Sequence, residues 1–227
     1  MPQQLTFDLP AKPALGQEDF FVSSANAIAV STLEAWQDWP SRKMVLTGAA
    51  GSGKTHLAHV WAIEANARVV DAQSLPTEDI SAFAAQSVAV EDIDRVAGNA
   101  AAEEALFHLH NLTIANGHSL LLTTRVAPTA LQITLPDLAS RMQGTAVVAL
   151  DAPDDALLTA VMLKLFSDRQ LQINPAVIDF LIKRIERSFV ALQTVVEQLD
   201  KAALSKRQAI TVPLATRVLD NLDGDSA

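Results

Sequence analysis

Met44-Val45-Leu46-Thr47-Gly48-Ala49-Ala50-Gly51-Ser52-Gly53-Lys54-Thr55, followed by Leu57, Val60 and Trp61, decides the fold of this chain. Met44, Val45 and Leu46 are consecutive apolar residues of the kind that form a strand buried on both faces. Leu57, Val60 and Trp61 recur at helical spacing. Between them, Gly48 to Thr55 matches GxxxxGK[ST], a phosphate-binding loop set between a strand and a helix. In such a loop backbone N–H groups and the helix N-terminus surround phosphate oxygens, and only glycine lets the backbone approach that closely. Lys54 is expected to reach the β and γ phosphates, and the Thr55 hydroxyl to ligate Mg²⁺. Gly48, Ala49, Ala50, Gly51, Ser52, Gly53, Lys54 and Thr55 thus form a candidate nucleotide site, with ATP or ADP and Mg²⁺ as its cofactors.

Outward from this unit, short apolar runs recur at Val69-Val70, Val88-Ala89-Val90, Leu120-Leu121-Leu122 and Ala146-Val147-Val148, separated by helical or loop segments. Five strands alternating with helices predict a parallel α/β sheet. The segment Ala101 to Ala115 reads as a covering helix, with Leu106, Phe107, Leu109 and Leu112 on one side and Glu103 and Glu104 in its first turn, where the helix dipole favours negative charge. After Leu150 the strand signals stop. Three amphipathic stretches follow, with apolar faces Leu158/Val161/Met162/Leu165, Val177/Ile178/Leu181/Ile182/Ile185 and Leu192/Val195/Val196/Leu199, and Pro213 suits the first turn of a fourth helix. The first 18 residues, with Pro2, Pro10, Pro13 and Gly16, read as an extended tail. The expected organisation is a tail at 1–18, a P-loop α/β domain at 19–150 and an α-helical domain at 151–227.

A P-loop protein also needs an acidic residue at the end of a neighbouring strand. Val88-Ala89-Val90-Glu91-Asp92 supplies two, Glu91 to assist Mg²⁺ through water and Asp92 to orient an attacking water; an ordinary acidic strand exit is the alternative. Asp94 is expected to be solvated. Thr123 and Thr124 end the fourth apolar strand with hydroxyls that can sit beside a γ-phosphate. Arg141, in Leu138-Ala139-Ser140-Arg141, is placed where an arginine can stabilise charge on a neighbour's phosphate, or equally can make a surface salt bridge.

Composition narrows the alternatives. With 26 acidic against 17 basic residues the formal charge is −9, which opposes non-specific nucleic-acid binding while leaving room for a local basic patch. The absence of cysteine removes disulfides and thiolate metal sites. There is no secretory signal pattern and no apolar run near the roughly 20 residues needed to span a bilayer, so the expected location is cytoplasmic. The five histidines form no HExxH pattern. Asp154 and Asp155 read as favourable charges at a helix start, and Lys183, Arg184 and Arg187 as a solvated basic face.

With these landmarks in order, nearly the whole chain resembles the Hda family, small relatives of the initiator DnaA that act in its regulatory inactivation, within the AAA+ superfamily. The residues that carry the resemblance are Phe20-Phe21-Val22 with Asn26, the loop at 48–55, Glu91-Asp92, Leu122-Thr123-Thr124, Leu138-Ala139-Ser140-Arg141 and the helical segment from Lys183 to Lys201. The resemblance implies that Val22 and Asn26 lie near the adenine and that the helical domain is a lid. It also implies that Gln4-Leu5-Thr6-Phe7-Asp8-Leu9-Pro10 is a clamp-binding peptide. A glutamine followed by spaced apolar residues can anchor an extended segment in a hydrophobic groove, so Gln4, Leu5, Phe7 and Leu9 become contacts to the β sliding clamp.

The implied mechanism has the protein, tethered to a clamp on DNA, presenting Arg141 to ATP held by DnaA and promoting its hydrolysis, which restrains initiation. A trans-acting arginine accelerates phosphoryl transfer by about 10³ to 10⁵, so the P-loop here serves assembly more than turnover, and ADP is a plausible resident. The chain departs from the family pattern at three positions. Val190 stands where DnaA relatives place a sensor arginine, with Arg187 one turn earlier as a substitute; Arg125 stands where an acidic residue is frequent; and Glu91 replaces aspartate. Two other readings stay open. One is a self-assembling ATPase or helicase loader, as a homodimer or a nucleotide-dependent oligomer; the other is a DNA-binding initiator, for which a chain ending at Ala227 leaves no room for a helix-turn-helix module.

Overall fold

The computed structural model describes residues 11–12, 20–206 and 208–224. The expected clamp contacts Gln4, Leu5, Phe7 and Leu9 lie outside the described residues. Two compact units emerge, one containing Asn26–Asp151, the other Phe21–Ala25 together with the chain from Ala152 onward.

The first unit is built on β1 (Lys43–Thr47), β2 (Arg68–Asp71), β3 (Val88–Glu91), β4 (Leu120–Thr124) and β5 (Val147–Ala149). All neighbours pair in parallel, in the order β2-β3-β4-β1-β5. Strands buried on both faces need continuous apolar runs, and Val45, Leu46, Val88, Ala89, Val90, Leu120, Leu121 and Leu122 have no exposed surface. The last strand starts one residue later than the apolar run suggests, although the Ala146 carbonyl still accepts from Val45 N–H at 2.9 Å. Because β4 lies between β3 and β1, the chain leaves the carboxyl ends of β3, β4 and β1 side by side. That crevice is where parallel α/β sheets place ligands.

Helices cover the sheet: α1 (Ala27–Glu34), α2 (Lys54–Glu64), α3 (Ile80–Phe83), α4 (Ala100–Ala115) and α5 (Pro136–Gln143). In α4 the buried stripe is Ala102, Glu103, Leu106, Leu109, His110 and Thr113, while Leu112 is 39% exposed. Hydrophobicity alone places Leu112 on the buried side; the register of α4 instead turns His110 and Thr113 inward. Glu103 is the larger departure. It lies in the first turn, as expected, but is fully buried.

The second unit contains α6 (Asp155–Asp168), α7 (Pro175–Ile182), α8 (Phe189–Lys206) and α9 (Val212–Gly224). Asp154 caps α6 by accepting from Leu157 N–H at 2.8 Å and also accepts the Ser24 hydroxyl at 3.0 Å, as its place before a helix predicts. Leu158, Met162, Leu181, Leu192, Val196 and Leu199 meet in this unit's core.

Candidate functional site

The loop from Gly48 to Gly53 closes on backbone constraints that only glycine meets. Gly51 and Gly53 have φ of 70° and 101°, in the left-handed region that strains residues with a Cβ. A Cβ at Gly48 would lie 2.7 Å from the Leu150 carbonyl oxygen and 2.8 Å from Ser52 Oγ. Gly48 N–H donates to the Thr124 carbonyl at 3.2 Å, fixing the start of the loop to the end of β4. Lys54 Nζ donates to the Gly48 and Ala49 carbonyls at 2.7 and 2.9 Å. Burial lowers the Lys54 pKa, Asp92 and Asp94 oppose that shift, and Arg125 adds to it. Ser52 Oγ is buried and finds no hydrogen-bond partner among the described residues; Thr55 is exposed in the first turn of α2.

The acidic end of β3 faces this loop's helix. His59 follows Thr55 by one helical turn, and its Nε2 lies 3.6 Å from Glu91 Oε2. Glu91 Oε1 is buried and without a hydrogen-bond partner among the described residues. Asp92 turns the chain in the left-handed region at φ 54°, and its N–H donates to Thr123 Oγ1 at 3.0 Å. Its Oδ2 stands 3.7 Å from a guanidinium nitrogen of Arg95 and 3.7 Å from one of Arg125. Asp94 is half-buried and also has a protein partner, which its position in the sequence does not suggest. It accepts from Arg125 N–H at 3.0 Å and lies 4.0 Å from the Arg125 side chain, because β4 runs beside β3 and brings its exit loop over Asp94.

The two threonines of β4 are both buried but differ in use. The Thr124 hydroxyl is spent on the turn, donating to the Val126 carbonyl and accepting from Val126 N–H; Thr123 alone reaches Asp92. Asn26 is buried at the head of α1, where its carbonyl accepts from Val30 N–H at 2.9 Å. Val22 is half-buried in the helical unit. In that unit Val190 is 61% exposed near the start of α8, and Arg187 pairs with Asp155 at 2.8 Å.

Arg141 lies in the last turn of α5, exposed, and its guanidinium makes no ion pair among the described residues. Its carbonyl accepts the Thr145 hydroxyl at 2.7 Å and Lys43 Nζ at 3.4 Å. Lys43 Nζ also lies 3.2 Å from His110 Nε2. Burial, then the Lys43 charge and, more weakly, Arg141 push the His110 pKa down to about 4, with the Asn111 hydrogen bond opposing. Sequence reasoning did not connect Lys43, His110 or Glu103 with Arg141. Glu103 gave one signal, an acid within a helix whose neighbouring positions are apolar.

Comparison with known proteins adds the following. Residues 155–219 match the family described as "Hda, lid domain". The chain is 30% identical over 183 residues to an uncharacterized protein of Haemophilus influenzae, covering 76% of this chain and 79% of that one. Among solved structures it is similar to domain III of the Thermotoga maritima replication initiation protein DnaA, with TM-score 0.74, 18% identity and coverage of 89% and 94% of the two chains. It is also similar to AMPPCP-bound DnaA from Aquifex aeolicus, with TM-score 0.67, 19% identity and coverage of 86% and 67%. Among the described residues no helix is long and apolar enough to cross a membrane.

Proposed function

The chain belongs to the Hda- and DnaA-related AAA+ family, and from that premise we propose that it is a regulator of replication initiation which stimulates hydrolysis of ATP bound to DnaA. In this reading residues 4–10 hold the β sliding clamp, through Gln4, Leu5, Phe7 and Leu9, and Arg141 acts on the nucleotide of DnaA. The observation that carries the reading is the exposed Arg141 guanidinium, free of ion pairs among the described residues, on a helix whose backbone is tied down at that residue. A cation meant for a neighbour's phosphate must be presented unneutralised.

The loop residues fit a nucleoside di- or triphosphate with Mg²⁺. Gly51 and Gly53 hold the left-handed backbone conformations of the loop, and Ser52 Oγ and Glu91 Oε1 are buried polar atoms without partners among the described residues. Gly48 to Thr55 would hold the phosphates, Thr55 and Glu91 the Mg²⁺, and Asn26 the base. Bound Mg²⁺ supplies charge neutralisation of phosphate oxygens. The chain's own residues limit turnover. Asp92 is flanked by Arg95 and Arg125, which compete with a water for its carboxylate, and the exposed Val190 offers no charge at the lid sensor position. We place the protein in the cytoplasm, at the replisome.

A second reading, a self-assembling ATPase or helicase loader, draws support from the grouping of Lys54, Glu91, Asp92 and Thr123 at one crevice. The two are separated by measuring ATP hydrolysis by the chain alone and on DnaA with clamp-loaded DNA. The regulator reading expects slow turnover alone, a large rise on DnaA, and loss of that rise when Gln4, Leu5 and Phe7 become alanine. Brisk turnover alone with no effect on DnaA would select the second reading.

A further inference from the structure

Glu103 has the chemistry of a joint. It is fully buried, and a buried carboxylate persists only when several donors satisfy it. Its donors come from two distant segments. Oε1 accepts from Gly98 N–H at 2.7 Å and Thr134 N–H at 3.0 Å; Oε2 accepts from Thr134 N–H at 3.0 Å, the Thr134 hydroxyl at 2.8 Å and Leu135 N–H at 2.7 Å. Burial raises its pKa, but these donors outweigh it and leave the carboxyl below its ordinary value, so it is ionised at neutral pH.

The two segments matter for what they lead to. Gly98 closes the stretch that leaves β3 through Asp92 and Arg95. Leu135 is the residue before α5, whose N-terminus has no side-chain cap of its own. The Leu135 carbonyl opens the helix by accepting from Ala139 N–H at 3.0 Å. α5 is thus held at its entry by Glu103, along one side by the buried Leu138 and Met142, and at its exit by Lys43 and Thr145 on the Arg141 carbonyl. Arg141 lies less than two turns beyond the Glu103 contacts.

We infer that Glu103 is a positioning residue for Arg141, fixing the entry of α5 so that the guanidinium is presented in one place. The inference rests on the proposed role of Arg141. The full-length protein is tested with DnaA-bound ATP, clamp and DNA, comparing Glu103→Gln, Glu103→Asp, Thr134→Val, Arg141→Ala and the Glu103→Gln/Arg141→Ala pair. Glu103→Gln keeps size but turns an amide donor against N–H donors; it is expected to lower the maximal stimulated rate on the order of tenfold or more, with the half-saturating concentration and ADP affinity little changed. Glu103→Asp keeps the charge and should restore part of that loss. Thr134→Val removes one donor and should cost a few-fold, giving a reading even if Glu103→Gln folds poorly. In the Arg141→Ala background Glu103→Gln should cost nothing further in rate and leave ADP affinity and unfolding midpoint near those of Arg141→Ala, which a general structural role would lower. Arg141→Ala without effect would overturn the role of Arg141 and this inference with it. Loss with Arg141→Ala but full rates with Glu103→Gln and Thr134→Val would overturn this inference alone.

Discussion

The N–H of Asp92 donates to the hydroxyl of Thr123 at 3.0 Å, joining the acidic end of β3 to the polar end of β4. Asp92 is held in a left-handed conformation, uncommon for residues other than glycine, asparagine and aspartate, and this bond is one of the contacts that keep it there. Thr123→Val removes the acceptor and leaves the N–H without a protein partner. The expected loss is about 1–2 kcal/mol, read by urea unfolding, with ADP affinity nearly unchanged by calorimetry. Unchanged stability would show that the bond does not hold the turn.

Arg125 stands beside Asp92 and Asp94 and contributes to lowering the Lys54 pKa. Removing its charge frees the Asp92 carboxylate of one ion-pair partner and takes away a cation that lowers the Lys54 pKa. Arg125→Ala is therefore expected to raise ATP turnover by the isolated protein by about threefold or more, measured as steady-state phosphate release. A fall in turnover would mean that Arg125 assists hydrolysis.

Gly48→Ala should be costly although alanine is small. The added carbon meets the Leu150 carbonyl oxygen at 2.7 Å, and Leu150 is itself fixed by donating to the Thr47 carbonyl at 2.7 Å. The expected destabilisation is about 1–3 kcal/mol, with a loss of ADP affinity. A fully stable variant with native affinity would show that the loop shifts freely.

How much of this was readable from the chain depends on the distance over which each contact acts. The strand, loop and helix around Gly48 to Thr55 are contiguous, and so are the apolar runs of the parallel strands, so residue type and spacing suffice for both. The bonds from Asp92 to Thr123, Asp94 to Arg125 and Glu103 to Thr134 each span 31 residues. They depend on the register of β3 against β4 and on the packing of α4, which no local pattern encodes. Hence the Arg125 contact of Asp94 and the burial of Glu103 against Thr134 and Leu135 were not legible, although the first-turn position of Glu103 was. Arg141 is visible as a candidate, but that it makes no ion pair among the described residues is seen only once its neighbours are in place.

His110 makes stability depend on pH. Its folded pKa, about 4, lies below the ordinary 6.5, so between these values the unfolded chain binds a proton that the folded one refuses. Its contribution is complete above pH 6.5 and is lost as pH falls toward 4. The groups facing it are Lys43, Arg141 and Asn111. The expected loss is about 2 kcal/mol once relaxation of the pocket on protonation is allowed for, and His110→Gln should flatten the stability profile by that amount. An unaltered slope would place the titration elsewhere.

The role of Arg141 is read from the rate of hydrolysis of DnaA-bound ATP, with clamp and DNA present, on adding the wild-type protein or Arg141→Ala. Arg141→Ala is expected to fold, to bind ADP and to bind the clamp as wild type does, yet to lose stimulation by about 10³-fold or to background. Stimulation retained at the wild-type level by a folded Arg141→Ala protein would contradict it.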